Sequence, residues 1–457
     1  MTWRALRHQT FYFSILGLLF TSLSAQALCQ SVTLEQCLTL AQPLAQEIQI
    51  AKEAVVLARQ DRIRARTALT PNIELTASYG GTVSEMEGAS FPPNQVEEKT
   101  LSAFAGIGFR YSFYLNGREL IAFRAAGELI SKSRADLHVA RRDYTLQVAA
   151  AFYDAIRRER GVRIATANLD RLKSHREAIH QRIAAGLLTQ TEMFRAQAEV
   201  AQGRASLTEA QTRLAISRSQ LRRLVPLADN FTLVEPSTSA PQAPAPTLAS
   251  AIEMGVSMRP EVSSSRIAAL VSKRQVAITK SLFWPKVTLE GAVGRTRDEI
   301  RGTYDASDND FSRDTDAYNA KITVSLPLVD GGLRRADVIK SLSEKRSAEH
   351  RVRLSLKEVQ RQVESAWYTR ITQGERVEAL KKSRNFSREF LTLTTKRFKE
   401  GLVQSLDLMD ANTRLVEAEN NLEDARFALI LAAIELRHAT GHDPVELSDS
   451  ANSPLTP

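Results

Sequence analysis

Two carboxylates, Asp407 and Asp410, stand three residues apart in the stretch KEGLVQSLDLMDA, just after a glycine that interrupts a long helical pattern. On a helix this spacing puts both on one face about one turn apart. Like charges so close attract cations, and acids near a helix start also sit favourably in the field of the backbone dipole. Their neighbours Leu408 and Ala411 belong to an apolar packing pattern, so the acids lie off it. The chain carries a similar passage 215 positions earlier, AAGLLTQTEMFRA, in which Gly186 and Leu187 stand for Gly401 and Leu402 and Glu192 stands for Asp407. There the place of Asp410 is taken by Arg195, so only the second passage has the acid pair.

Chemistry of other kinds finds little support. There is no Gly-x4-Gly-Lys phosphate loop, no His-Glu-x-x-His, no Cys-x-x-Cys and no nucleophile elbow, so the sequence is not that of an enzyme and implies no cofactor and no metal. His438 and His442 straddle Thr440-Gly441, where a helix should end, and read as two exposed helix-end histidines.

With 457 residues, 43% hydrophobic and 25% charged, the chain is too polar for a helical membrane transporter. One apolar run stands at the N-terminus: Arg4 and Arg7, then FYFSILGLLFTSLSA, then the small-x-small site Ala25-Gln26-Ala27, which read as a cleaved secretory signal over residues 1–27 and not as an anchor helix. Its removal lowers the formal charge from +9 to +7. The basic residues are spread singly over helical stretches with no interleaved aromatics, so no nucleic-acid partner is expected. Cys29 follows Leu28, which is not small, and this argues against a lipid anchor there. A disulfide from Cys29 to Cys37 suits an exported chain, and Cys37 also reads as a small packing residue like Ala251.

The elements that must position the acids come in two copies. TLEQCLTLA from Thr33 is matched by TLASAIEMG from Thr247, an offset of 214, and the register continues through Glu47 and Glu261, Pro71 and Pro285, and Gly80 and Gly294. With one more residue inserted it pairs AFYD at Ala151 with AWYT at Ala366, and Gly186 with Gly401. The organisation expected is a first repeat over 28–235, a proline-rich linker over 236–247, a second repeat over 248–441 and a loose tail over 442–457.

Within each copy a helix precedes two strands and a very long helical region. Ile73, Leu75, Ala77 and Tyr79 alternate with Asn72, Glu74, Thr76 and Ser78; Leu101 through Leu115 alternate with Ser102, Gly106, Gly108, Arg110 and Ser112. The second copy sets Val287, Leu289 and Val293 against Thr288 and Glu290, then Ile322, Val324, Leu326 and Leu328 against Thr323 and Ser325. One face is greasy and the other wet. That suits half of a soluble sandwich or a barrel wall with lipid outside and water inside, and strand lengths near ten to fifteen residues with the aromatics Phe109 to Tyr114 favour the wall. Four strands cannot close around a lumen, so several chains must share the barrel. The polar stretches SEMEGASFPPNQVEEK and DEIRGTYDASDNDFSRDTD read as loops on the outer surface.

The helices carry a heptad seam that alternates large and small: Leu408, Ala411, Leu415, Ala418, Leu422, Ala425, Leu429, Ala432 and Leu436, and in the first copy Met193, Ala196, Val200, Gly203, Leu207, Ala210, Leu214, Ser217 and Leu221. The preceding helices run from about Gly117 to Ala185 and from about Gly332 to Glu400, on the order of 100 Å each.

The ordered set of these features, with the Pro71 and Pro285 lead-ins, LPLVDGG at 326–332, the pairs Phe152-Tyr153 and Trp367-Tyr368, and the Gly-Leu turn followed by Asp-x-x-Asp-Ala, resembles the TolC-like outer-membrane efflux proteins. The first copy departs from the pattern with FYLNGRE where the family often has Pro and a Gly pair. The resemblance implies a mixed α and β membrane protein: a homotrimer with four strands per protomer in one twelve-stranded β-barrel, in the outer membrane of a Gram-negative bacterium, and coiled-coil helices forming a periplasmic α-barrel. It further implies an export duct of a tripartite efflux or type I secretion system, working with a periplasmic adaptor and an inner-membrane transporter amid outer-membrane lipid. On that footing Gly186, Leu187, Gly401 and Leu402 are the tips that meet the adaptor, and Asp407 and Asp410 ring the periplasmic aperture. The alternative is a periplasmic coiled-coil scaffold without a pore, which leaves the amphipathic strands idle.

Overall fold

A computed structural model describes residues 30–87, 95–235, 247–304 and 307–445. The signal sequence, Cys29, residues 236–246 of the linker and the tail beyond 445 lie outside the described residues.

Each copy begins with a short capped helix. Thr33 opens α1 (Leu34–Ala41) with a capping box to Gln36, and Thr247 opens α5 (Leu248–Met258) with one to Ser250. A second helix follows, α2 (Gln46–Thr67) and α6 (Pro260–Lys280), the latter started by a proline whose missing N–H costs nothing at the first position. Next come the strand pairs β2 (Asn72–Glu87) with β3 (Gln95–Tyr114), and β5 (Lys286–Tyr304) with β6 (Ser307–Ser325). Each copy ends in a helical hairpin, α3 (Arg118–Ala184) with α4 (Gln190–Leu224), and α7 (Leu333–Lys399) with α8 (Ser405–Ala439). The long arms have 67 residues and the return arms 35 in both copies.

The turn out of the strands ends alike in both copies, on a left-handed glycine just before the long helix, but the second is longer, running from Ser325 to Leu333 where the first runs from Tyr114 to Arg118, and adds a second left-handed glycine, Gly331. Gly117 and Gly332 take φ of 72° and 90° as the helix caps, left-handed values that a Cβ would disfavour, so FYLNGRE starts its helix from a single glycine without a proline. Asp330 reinforces the second turn, its carboxylate accepting the N–H groups of Gly332 and Arg334 at 3.1 Å each.

The four long strands form one antiparallel sheet in the order β2-β3-β5-β6, so the two copies are joined through β3 and β5, with Gly106 opposite Gly294. Within the chain β2 and β6 each keep one free edge. The strands are 16 to 20 residues long, more than the ten to fifteen expected, because most of the two polar stretches is strand and not loop. Register explains the difference: Arg295 faces Asp316, Arg297 faces Asp314 and Arg301 faces Asp310, so opposite charges meet across β5 and β6 where hydrophobic alternation has ended. Two further strands of three residues, β1 (Gln30–Val32) and β4 (Phe231–Leu233), pair in parallel; three residues carry no readable period.

The largest core gathers where the first copy's elements meet the middle of α3. Leu34, Cys37, Leu38, Ala41 and Ile48 pack on Tyr144, Val148, Phe152 and Ile156, with Leu221, Phe231 and Ile434 closing the cluster. Cys37 is a free thiol there, fully buried like Ala251 in the smaller core of the second copy, and burial pushes its pKa up to about 11. The packing reading of Cys37 therefore holds. His438 is not exposed as expected: its Nε2 lies 2.9 Å from Asp143 Oδ1 with the ring only 14% accessible, and His442 Nδ1 lies 3.2 Å from Thr440 Oγ1. The hydrogen bond to His438 holds the Asp143 carboxyl below its usual range. Buried Arg142 donates to the His438 carbonyl beside them, joining the middle stretch of α3 to the end of α8.

Candidate functional site

The sheet presents two unlike faces. On one, Ile73 and Leu75 of β2, Ile107 and Phe109 of β3, Val293 of β5, and Tyr318, Ile322 and Val324 of β6 stand in register, and all are exposed, Leu75 at 76% and Ile322 at 73%. Apolar surface left open over four adjacent strands demands a covering medium. The Arg–Asp pairs continue the same face beyond Val293 and Tyr318, marking where the apolar band stops on β5 and β6.

The opposite face is wet and narrow in side-chain size. Arg110 Nε and Glu290 Oε1 lie 2.9 Å apart, Ser112 Oγ and Thr288 Oγ1 3.1 Å apart, and Ser102 donates to Asp298 at 2.6 Å. Among them sits Phe104, a residue that the period-two reading passed over; counting every even position of β3 finds it between Ser102 and Gly106. Among the described residues no helix is long and apolar enough to cross a membrane.

At the far end the two hairpins turn in matching ways. Gly186 (φ 73°) accompanies a bond from the Leu187 N–H to the Arg182 carbonyl at 2.9 Å, and Gly401 (φ 79°) one from Leu402 to Arg397 at 2.9 Å, the pattern that ends a helix with a left-handed glycine. Leu187 is 72% exposed and Leu402 69%. Such a helix stop would ordinarily tuck an apolar residue against the last turn; here both leucines project.

Asp407 and Asp410 are both exposed, while Leu408, Met409 and Ala411 are buried, so the acids share the outer side of α8 as the spacing predicts. Asp407 also acts locally, its Oδ2 accepting the Gln404 N–H at 3.0 Å to complete a capping box. Asp410 Oδ2 lies 2.9 Å from Arg414 Nε one turn on. The first copy's Glu192 pairs with Arg195 at 3.4 Å. The seam is as read: in the second copy every residue but Leu429 is buried and Leu429 is half-buried, and Gly203 in the first lets α4 approach so closely that a Cβ there would lie 2.7 Å from Leu172 Cδ1.

The hairpins are also tied to each other, through side chains that no sequence pattern announced. Between α3 and α8 run Arg160 to Glu423 at 3.2 Å, Arg171 to Asn412 at 2.9 Å, Asn412 to Asn168 at 2.8 Å and His175 to Ser405 at 3.0 Å. Near the tips Arg182 donates to the Lys399 carbonyl at 2.8 Å and lies over the Phe398 ring. Among the described residues no group of His, Cys, Asp or Glu could hold a metal ion.

An exposed apolar sheet face, a wet opposite face and paired hairpins match known proteins over most of the chain. The family model described as outer membrane efflux protein matches residues 38–225 and 253–442. The chain belongs to that family. Nodulation protein T of Rhizobium leguminosarum bv. trifolii is 22% identical over 407 residues, spanning 87% of this chain and 84% of that protein. Outer membrane protein TolC of Vibrio cholerae is 22% identical over 385 residues, 82% and 83% of the two chains. Among solved structures, a membrane protein from Pseudomonas aeruginosa superposes with a TM-score of 0.76 at 21% identity, covering 89% of this chain and 93% of that one.

As an outer membrane efflux protein, the chain resides in the outer membrane with its helical hairpins in the periplasm. Its four strands are one third of a trimeric twelve-stranded β-barrel, and the hairpins contribute to a periplasmic α-barrel. The free edges of β2 and β6 meet those of neighbouring copies in such a barrel, which leaves no unpaired backbone in lipid. The greasy face is then the lipid face and the wet face lines the lumen.

Proposed function

We propose that the protein is a passive export duct of a tripartite efflux or secretion system, opened at its periplasmic end by an adaptor protein and driven by an inner-membrane transporter. The observation that carries this reading is the pairing of an exposed apolar face with a polar, small-residue face on the same four strands. A pore-less scaffold has no use for that wet face. A wall of paired strands is a static conduit, and the energy for export enters from the inner-membrane partner.

The adaptor meets the tips at Gly186-Leu187 and Gly401-Leu402, where two matching leucines stand exposed at the hairpin ends. Apolar side chains at two equivalent, equally exposed turns suit an apolar helical partner that reads both hairpins alike. Asp407 and Asp410 then ring the aperture just inside the tips. Three copies bring six carboxylates to a narrow bundle end, with Arg414 beside each Asp410. Such a ring draws cations and filters what passes.

Single-channel recording of purified trimers in planar bilayers tests the duct. Cation-selective conductance is expected; folded trimers with no conductance, or a protein that extracts into buffer without detergent, would sink the reading in favour of the scaffold.

A further inference from the structure

Phe104 breaks the logic of its own strand. It stands on the lumen face of β3, between the Arg110–Glu290 ion pair and the Ser102–Asp298 hydrogen bond. At that level the other lumen positions of β3 and β5 are Gly106, Gly108, Ala292, Gly294 and Thr296. A large apolar ring there gains nothing from water.

Its pose is set by two glycines that face each other across β3 and β5. A Cβ on Gly106 would lie 2.6 Å from the ring's Cζ, and one on Gly294 would lie 2.6 Å from Cε2 and 2.8 Å from Cζ. The end of the ring therefore lies against bare backbone, half-buried, and any side chain at either position would displace it. On the lipid face Phe109 covers Gly291 in the same manner, but that ring also belongs to the apolar band and is fully accounted for. Covering Gly106 and Gly294 accounts only for the ring atoms Cζ and Cε2 of Phe104. Phe104 stays partly accessible on the lumen side of the sheet, and no ring among the described residues pairs with it; the ring pairs there are Tyr111–Phe113, Phe152–Tyr153 and His175–Phe398.

We propose that Phe104 is a cargo-contact residue of the barrel lumen, its exposed face taking planar aromatic solutes as they leave. The inference rests on the duct reading and adds a chemical class of solute and the residue that meets it. Symmetry places three such rings at one level, each flush with the wall, so the lumen keeps its width there while offering aromatic surface. Planar rings stack in offset or edge-on geometry with a specificity that aliphatic solutes cannot share.

The test uses full-length trimers in detergent and ethidium, a planar aromatic cation, with binding read by fluorescence anisotropy. Phe104→Ala and Phe104→Leu should each weaken binding about fivefold, the ~1 kcal/mol of one stacked ring, while Phe104→Tyr keeps it. Phe104→Leu still covers the two glycines, so loss of binding in that variant separates stacking from wall repair. Competition by tetrapropylammonium, a cation without a ring, should be the same in all four proteins. Unchanged ethidium binding in Phe104→Ala, full binding in Phe104→Leu, or no saturable binding to the wild type would overturn the assignment. Conductance of the same trimers is read separately. A conducting wild type whose ethidium affinity is indifferent to Phe104 defeats this inference alone, whereas a silent wild type defeats the duct and with it the cargo role.

Discussion

His175 of the first hairpin and Ser405 of the second meet across the α3–α8 interface, Nε2 lying 3.0 Å from Oγ, with the imidazole 5.3 Å from the Phe398 ring. Burial lowers the His175 pKa; Glu192 of α4 works against the shift and Arg182 of α3 with it. A histidine depressed in the folded state is held neutral, so its contribution is fully present above the unfolded pKa of about 6.5 and is lost as pH falls below that value toward and through the lower folded one. Acidification from pH 7.5 to 5 should lower the unfolding midpoint of wild-type trimers by about 2 °C more than that of His175→Gln, which cannot titrate. Parallel pH profiles for the two proteins would show that His175 does not couple the hairpins to protons.

Asp407 and Asp410, proposed to ring the aperture, should separate under mutation, because only Asp407 holds a cap. Asp410→Asn is expected to shift the reversal potential in a salt gradient toward lower cation selectivity without changing thermal stability. Asp407→Asn should do the same and also cost about 0.5–1 kcal/mol of stability, since an amide caps less well than a carboxylate near a helix start. Unchanged reversal potentials in both variants would leave the acids as helix-start residues only.

At the tips, Leu187→Glu and Leu402→Glu should abolish export while trimers still form and reach the outer membrane, because both side chains are exposed and support no core. Gly401→Ala is a different kind of change. At φ 79° an alanine is strained by roughly 1 kcal/mol, and the expected effect is local loosening of the turn. Export assays alongside cross-linked trimer yield distinguish the two. Normal export by both glutamate variants would rule out an apolar contact there.

The seam makes a graded prediction at Gly203. Gly203→Ala brings a Cβ to 2.7 Å from Leu172 Cδ1, the mobile end of a side chain that can give, so the cost should be small. Gly203→Leu must part α3 from α4 and should destabilise by about 1–3 kcal/mol, read as a lower unfolding midpoint.

Much of the architecture is local and so was legible in order. The glycines at 117, 186, 332 and 401, the large-small seam and the two-faced strands are short-range patterns, each dictated by one turn, one helix period or one pleat, and the duplication shows because the chain writes them twice in the same order. Asp407's capping of Gln404 belongs with them, since it spans three residues. What only the tertiary structure decided depends on partners far apart in the chain. The strands run on through charged segments because Arg295, Arg297 and Arg301 find Asp316, Asp314 and Asp310 in register, and hydrophobic period alone cannot see a ladder of paired charges. The joining of β3 to β5 put Gly106 against Gly294 and so left bare backbone for the end of the Phe104 ring to rest on. The same holds for His175 with Ser405 and Arg171 with Asn412, residues more than 200 positions apart. Their meeting follows from how two long hairpins dock, a matter of summed packing along their length that no window of sequence contains.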